Sequence, residues 1–128
     1  SEVVTFDSEG VELNLRAKQT LNEIAMKVTG MKGYIIEISG FADSGSNVSR
    51  KIFLSQQRAD AVARYLTGNF EIPLRRISPP IGYGQTRATA VGISQEKKSN
   101  ENRVEIKIFT NLGVNQKVEV KENTTGVD

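Results

Sequence analysis

The chain has 128 residues, 38% of them apolar and 25% charged, with 17 basic and 15 acidic side chains for a net charge of +2. That length supports one domain with its own core, and so balanced a charge gives no general footprint for nucleic acid. Cysteine and histidine are both absent. Their absence excludes disulfides, thiolate or imidazole metal sites, thiol nucleophiles and a Ser-His-Asp triad. No run approaches the roughly 18 apolar residues of a membrane-spanning helix, and no signal-peptide pattern opens the chain. The chain starts without Met and runs almost at once into V-V-T-F, as expected of a domain taken from a longer protein.

In chain order, residues 3–6 are β-branched and aromatic and read as a strand, which residues 7–10 break as a turn. From Leu13 the period changes, with Ala17, Leu21, Ile24, Ala25 and Val28 recurring at helical steps. An amphipathic helix of roughly four turns follows, with Asn14 a candidate N-cap and Gly30 a stop. Residues 34–39 form a second strand, with Tyr34, Ile36 and Ile38 on one face, expected to be central in its sheet. S-G-S-N-V-S at 44–49 is loop by composition, and a second helix is expected to begin between 49 and 52 and to end near Thr67. Residues 77–82 contain Pro79-Pro80, which confines them to a sheet edge or an irregular segment. A short helix is expected near 96–99. Residues 103–110 alternate cleanly, with Val104, Ile106 and Ile108 on one face. The expected fold is α/β: a two-layer sandwich with a small mixed sheet and helices on one face, over residues 1–110. Residues 111–128 are read as a C-terminal tail in which 117–121 could add an edge strand.

One constellation carries chemistry. The apolar stripe expected for the second helix, Leu54, Ala61, Val62 and Tyr65, includes Arg58 near its centre, within about 100° of arc. A charge on an inward face requires a partner. The nearest candidate is Asp43, just past the end of the preceding strand, where open α/β sheets bind ligands. Two readings stand at this point: a structural Asp43–Arg58 salt bridge, or two arms that hold the two charges of a zwitterion. Other patterns are weaker. Gly82-Tyr83-Gly84 lacks the Lys-Ser/Thr of a phosphate loop, the acidic residues form no evident catalytic pair, and Arg75-Arg76 and Lys97-Lys98 read as solvated charge.

The segment I-S-G-F-A-D, the loop after it, and L-S-Q-Q-R-A-D-A-V-A-R-Y-L resemble the signature of the OmpA-like, peptidoglycan-associating domain. F-D-S-E-G-V-E-L, R-I-S-P-P-I-G-Y-G-Q and N-E-N-R-V-E-I agree in order and spacing, so the resemblance spans about residues 4–109. It implies a module without catalytic activity or cofactor. Such a module binds the meso-diaminopimelate head of the wall's stem peptide and anchors an outer-membrane or periplasmic protein on the periplasmic face of the outer membrane. Carried over by motif, Asp43 and Arg58 are the clamp, Arg103 lies near the pocket, and Leu54 lines it. Phe41 and Ala42 stand in place of the family's His and Thr at the pocket, Lys51 in place of an Asn at its rim, Asn102 in place of an Arg, and Ala88 in place of a Pro. On this reading Asp43→Asn and Arg58→Ala both abolish wall binding and leave the fold intact.

Overall fold

The computed structural model describes residues 1–43, 47–85 and 101–110. The elements run β1 (Glu2–Thr5), α1 (Leu15–Val28), β2 (Tyr34–Gly40), α2 (Val48–Asn69), a 3-10 turn (Leu74–Arg76), β3 (Ile81–Gly82) and β4 (Arg103–Thr110). The sheet order is β1-β4-β2-β3. β4 runs antiparallel to both β1 and β2, and β3 lies parallel to β2 at the edge. The sheet is therefore mixed, as expected, and β2 is central.

Side-chain alternation makes this a two-layer fold. Tyr34, Ile36 and Ile38 on β2 and Val104 and Ile106 on β4 are buried, together with Leu21, Ile24 and Val28 of α1 and Ala59, Val62 and Leu66 of α2. On the opposite side of the same strands, Ile35, Lys107 and Phe109 are exposed. A strand with one wet face belongs to a sheet covered on one side only.

The helix ends follow local hydrogen bonding. Asn14 caps α1, its Oδ1 accepting from the Ala17 amide at 2.8 Å. Asn47 caps α2, accepting from the Arg50 amide at 2.9 Å. The α2 helix thus begins earlier than its apolar period indicates, at Val48, and runs on to Asn69. The two prolines limit the third strand as expected: Ile77 bridges Ile36, the ladder is broken at Pro79-Pro80, and only Ile81 and Gly82 pair again. The expected helix at 96–99 and the tail 111–128 lie outside the described residues.

The buried stripe of α2 is turned from the expected one. Ala61 and Tyr65 are only partly buried, whereas Ser55, Ala59 and Ala63 are buried with Leu54, Arg58, Val62 and Leu66. Small residues explain the turn. A Cβ on Gly40 would collide with the Ser55 carbonyl, and one on Gly82 with the Gln56 amide. The helix backbone therefore lies against the exits of β2 and β3, and side chains of length zero or one are what that contact admits. This contact positions the site.

Candidate functional site

Arg58 is fully buried, and among the described residues it forms no salt bridge with a carboxylate. Its guanidinium donates through Nε to the Gly10 carbonyl at 2.8 Å and through Nη2 to the carbonyls of Asp7 at 2.7 Å and Ser8 at 3.0 Å. Nη1 donates to the Phe41 carbonyl at 3.1 Å and to Asn102 Oδ1 at 3.0 Å. Every N–H of the fork thus has an acceptor, and Phe6 lies beneath with its ring centre 5.2 Å away. Burial pushes the Arg58 pKa down to about 10, against the opposing pull of Glu9. The side chain stays charged at neutral pH.

These bonds correct one sequence expectation. Among the described residues Arg58 and Asp43 form no ion pair, so the internal salt bridge is excluded as the way the helix accommodates its charge. Backbone carbonyls at the 7–10 turn and at the β2 exit do so instead. The two residues are still linked. Asn102, at the entry to β4, accepts from Arg58 Nη1 and also from the Asp43 amide at 3.1 Å.

Asp43 itself sits at the surface of this assembly. Its Oδ1 is 3.6 Å from Lys51 Nζ, with the two side chains 22% and 13% exposed. Lys51 Nζ also donates to Gln85 Oε1 at 2.8 Å. The segment carrying Gln85 is fixed by the Ala42 amide bonding to the Gly84 carbonyl and by the Gly84 amide bonding to Ser55 Oγ, at 2.8 and 2.9 Å. Gly84 adopts φ +73°, a backbone angle that glycine accepts without strain. Ala42 and Leu54 are buried but stand outside the main core cluster.

The structure thus brings Asp43 and Lys51 together in one corner, with Ala42 beside Asp43 in sequence and Arg58 linked to it through Asn102, while Leu54 lies buried one turn along α2 from Lys51. Arg103 stands at the side of this corner. It donates to Glu101 at 2.9 Å and Glu105 at 2.7 Å and covers the Phe41 ring at 4.2 Å. Asn102 and Gln85 are the residues that sequence reasoning missed. Asn102 was visible only as a departure from a pattern, and Gln85 only as the last residue of the R-I-S-P-P-I-G-Y-G-Q segment, with no role attached. Chemically, the corner offers one acceptor-only carboxylate, one ammonium with donors to spare, and a buried positive charge without a touching anion among the described residues. It can hold an amine and a carboxylate side by side. No cluster of metal-ligating side chains occurs among the described residues, and none of their helices is long and apolar enough to cross a membrane.

Comparison with known proteins agrees with this architecture. The C-terminal domain of Helicobacter pylori MotB is similar at 25% identity and a TM-score of 0.71, over 86% of this chain and 85% of that one. The peptidoglycan-associated lipoprotein of Burkholderia pseudomallei shares the fold at 19% identity and a TM-score of 0.73, over 85% of this chain and 91% of that one. Among curated proteins, the probable lipoprotein YiaD of Escherichia coli is 33% identical over 103 residues, which is 80% of this chain and 46% of that protein. The chain therefore spans under half the length of that relative. The family model described as the OmpA family matches residues 5–103, and with the sheet order and both helices in place, the chain belongs to that family.

Proposed function

We propose that this domain binds bacterial peptidoglycan non-covalently, through the meso-diaminopimelate head of the stem peptide, and anchors its parent protein to the wall from the periplasmic face of the outer membrane. The observation that carries the reading is the half-buried Asp43 at the exit of β2, held beside Lys51 and backed by the buried charge of Arg58. Asp43 accepts the ammonium hydrogens of the head. The head's carboxylate lies over the positive side of the corner, where Lys51 donates directly and the buried Arg58 charge, held by carbonyl oxygens over the Phe6 ring, adds attraction through a poorly screened interior. On this reading Arg103 borders the pocket, and Ala42 and Leu54 line it.

No bond is made or broken. Charge-assisted hydrogen bonds contribute about 1.5–3 kcal/mol each, so a few of them give modest affinity per site. Membership of a family that includes a peptidoglycan-associated lipoprotein supports the wall as partner. The test is sedimentation with purified sacculi, with Asp43→Asn as the decisive variant. Asn keeps the size of the side chain and the Asp43 amide bond to Asn102 while it removes the charge. Loss of co-sedimentation with an unchanged melting temperature is expected. A folded Asp43→Asn protein that sediments like the parent overturns the assignment. Arg58→Ala is a poor second test, because the carbonyl cage ties Arg58 to the fold itself.

A further inference from the structure

We propose that the outward face of the Tyr83 ring is a stacking platform for one pyranose ring of the wall's glycan strand, so that the domain grips a sugar as well as the peptide head. This rests on the reading of the Asp43 corner given above. Tyr83 is 53% exposed, yet nothing about it is loose. Its amide donates to the Gly40 carbonyl at 2.9 Å, and the next carbonyl, of Gly84, accepts from Ala42 at 2.8 Å. Its ring stacks on Phe41, with centres 5.7 Å apart and planes inclined by 22°. Phe41 is covered in turn by the Arg103 guanidinium at 4.2 Å, which Glu101 and Glu105 hold in place. Tyr83 is therefore a half-exposed ring stacked on Phe41, with its backbone tied to the exit of β2.

An exposed aromatic ring held this way suits a ligand that offers a row of C–H groups on one face and hydroxyls around its edge. A pyranose has that shape, and the phenol at the ring edge can hydrogen-bond its hydroxyls. The platform is also continuous with the head-group corner. Gln85, two positions on from Tyr83, accepts from Lys51, which in turn faces Asp43. Two residues of chain span at most about 7 Å, and the stem peptide is covalently attached to the sugar strand, so both parts of one ligand reach both parts of this surface.

The test uses the full 128-residue chain, calorimetry, and two probes: the free stem peptide ending in meso-diaminopimelate, and the same peptide on its disaccharide. The parent should bind the disaccharide form about three- to tenfold more tightly, the size of one aromatic stacking contact. Tyr83→Leu, which keeps apolar cover over Phe41, and Tyr83→Ala should each erase that difference and leave affinity for the bare peptide as it was. Equal affinity of the parent for the two probes overturns the platform, as does a Tyr83 variant that retains the difference. A peptide-free N-acetylglucosamine oligomer separates the two proposals. Shifts of the Tyr83 ring resonances on its addition, in a protein that ignores the bare peptide, would overturn the head-group reading and support the platform.

Discussion

Replacing Arg58 by Ala measures what the carbonyl cage contributes. The change removes the Arg58 donor from five acceptors: the carbonyls of Asp7, Ser8, Gly10 and Phe41, and Asn102 Oδ1; Asp7 keeps the Gly10 amide and Asn102 the Asp43 amide. At about 1 kcal/mol net for each hydrogen bond removed, the five bonds amount to about 5 kcal/mol. The two methylenes that Ala lacks, Cγ and Cδ, lose about 2 kcal/mol of burial. Against this, removal of the charge recovers the cost of burying it. A pKa held down at about 10 corresponds to roughly 3 kcal/mol. The net expectation is a loss of about 4 kcal/mol, a large share of the roughly 5–15 kcal/mol that holds a domain folded. Urea unfolding followed by circular dichroism reads it as a lower midpoint with an unchanged slope. Arg58→Lys should recover little, because an ammonium has three donors and cannot match the planar fork. A loss under about 1 kcal/mol for Arg58→Ala would refute the argument and return Arg58 to a role in binding alone.

Other perturbations separate scaffold from site. Gly40→Ala drives a methyl into the Ser55 carbonyl and should destabilise by about 1–3 kcal/mol, visible as a fall in melting temperature; an unchanged value would mean that α2 can shift at no cost. Asn102→Leu removes the acceptor shared by Arg58 and the Asp43 amide. It should weaken both stability, by about 1–3 kcal/mol, and sacculus binding, and a variant that loses neither would show that Asn102 links nothing. Lys51→Asn should reduce affinity for the stem peptide by about three- to tenfold and flatten its salt dependence; tighter binding would show instead that Lys51 competes for Asp43. Asn47→Ala removes the α2 cap and should lower stability by about 1 kcal/mol, with wall binding intact once folded.

Much of the fold was legible because it rests on periodicity. β2 and β4 alternate, α1 carries its stripe and its capping Asn14, and each formed close to its expected bounds. The orientation of α2 was not legible, because it is set by backbone contact at Gly40 and Gly82. Glycines leave no mark in a hydrophobic pattern. Likewise the inward charge of Arg58 was evident from spacing, but its partners were not. Carbonyls are common to all residues, so only the three-dimensional course of the 7–10 turn shows that they converge on one side chain. The sequence led to a carboxylate partner because carboxylates are the anions a sequence displays.

The same cage has a kinetic meaning. Its hydrogen bonds join Arg58 to residues 48, 50 and 51 positions earlier and to one 44 positions later. The bonds to the first turn require residues 7–10 to meet α2, and the bond to Asn102 requires β4 as well, so the complete cage is expected to form late in folding. Losing them should leave the refolding rate almost unchanged and accelerate unfolding. For a domain proposed to hold a protein against the wall, the lifetime of the folded state then matters more than the speed of reaching it. On this expectation Arg58 is a latch that closes late, and the unfolding rate of Arg58→Ala tests it.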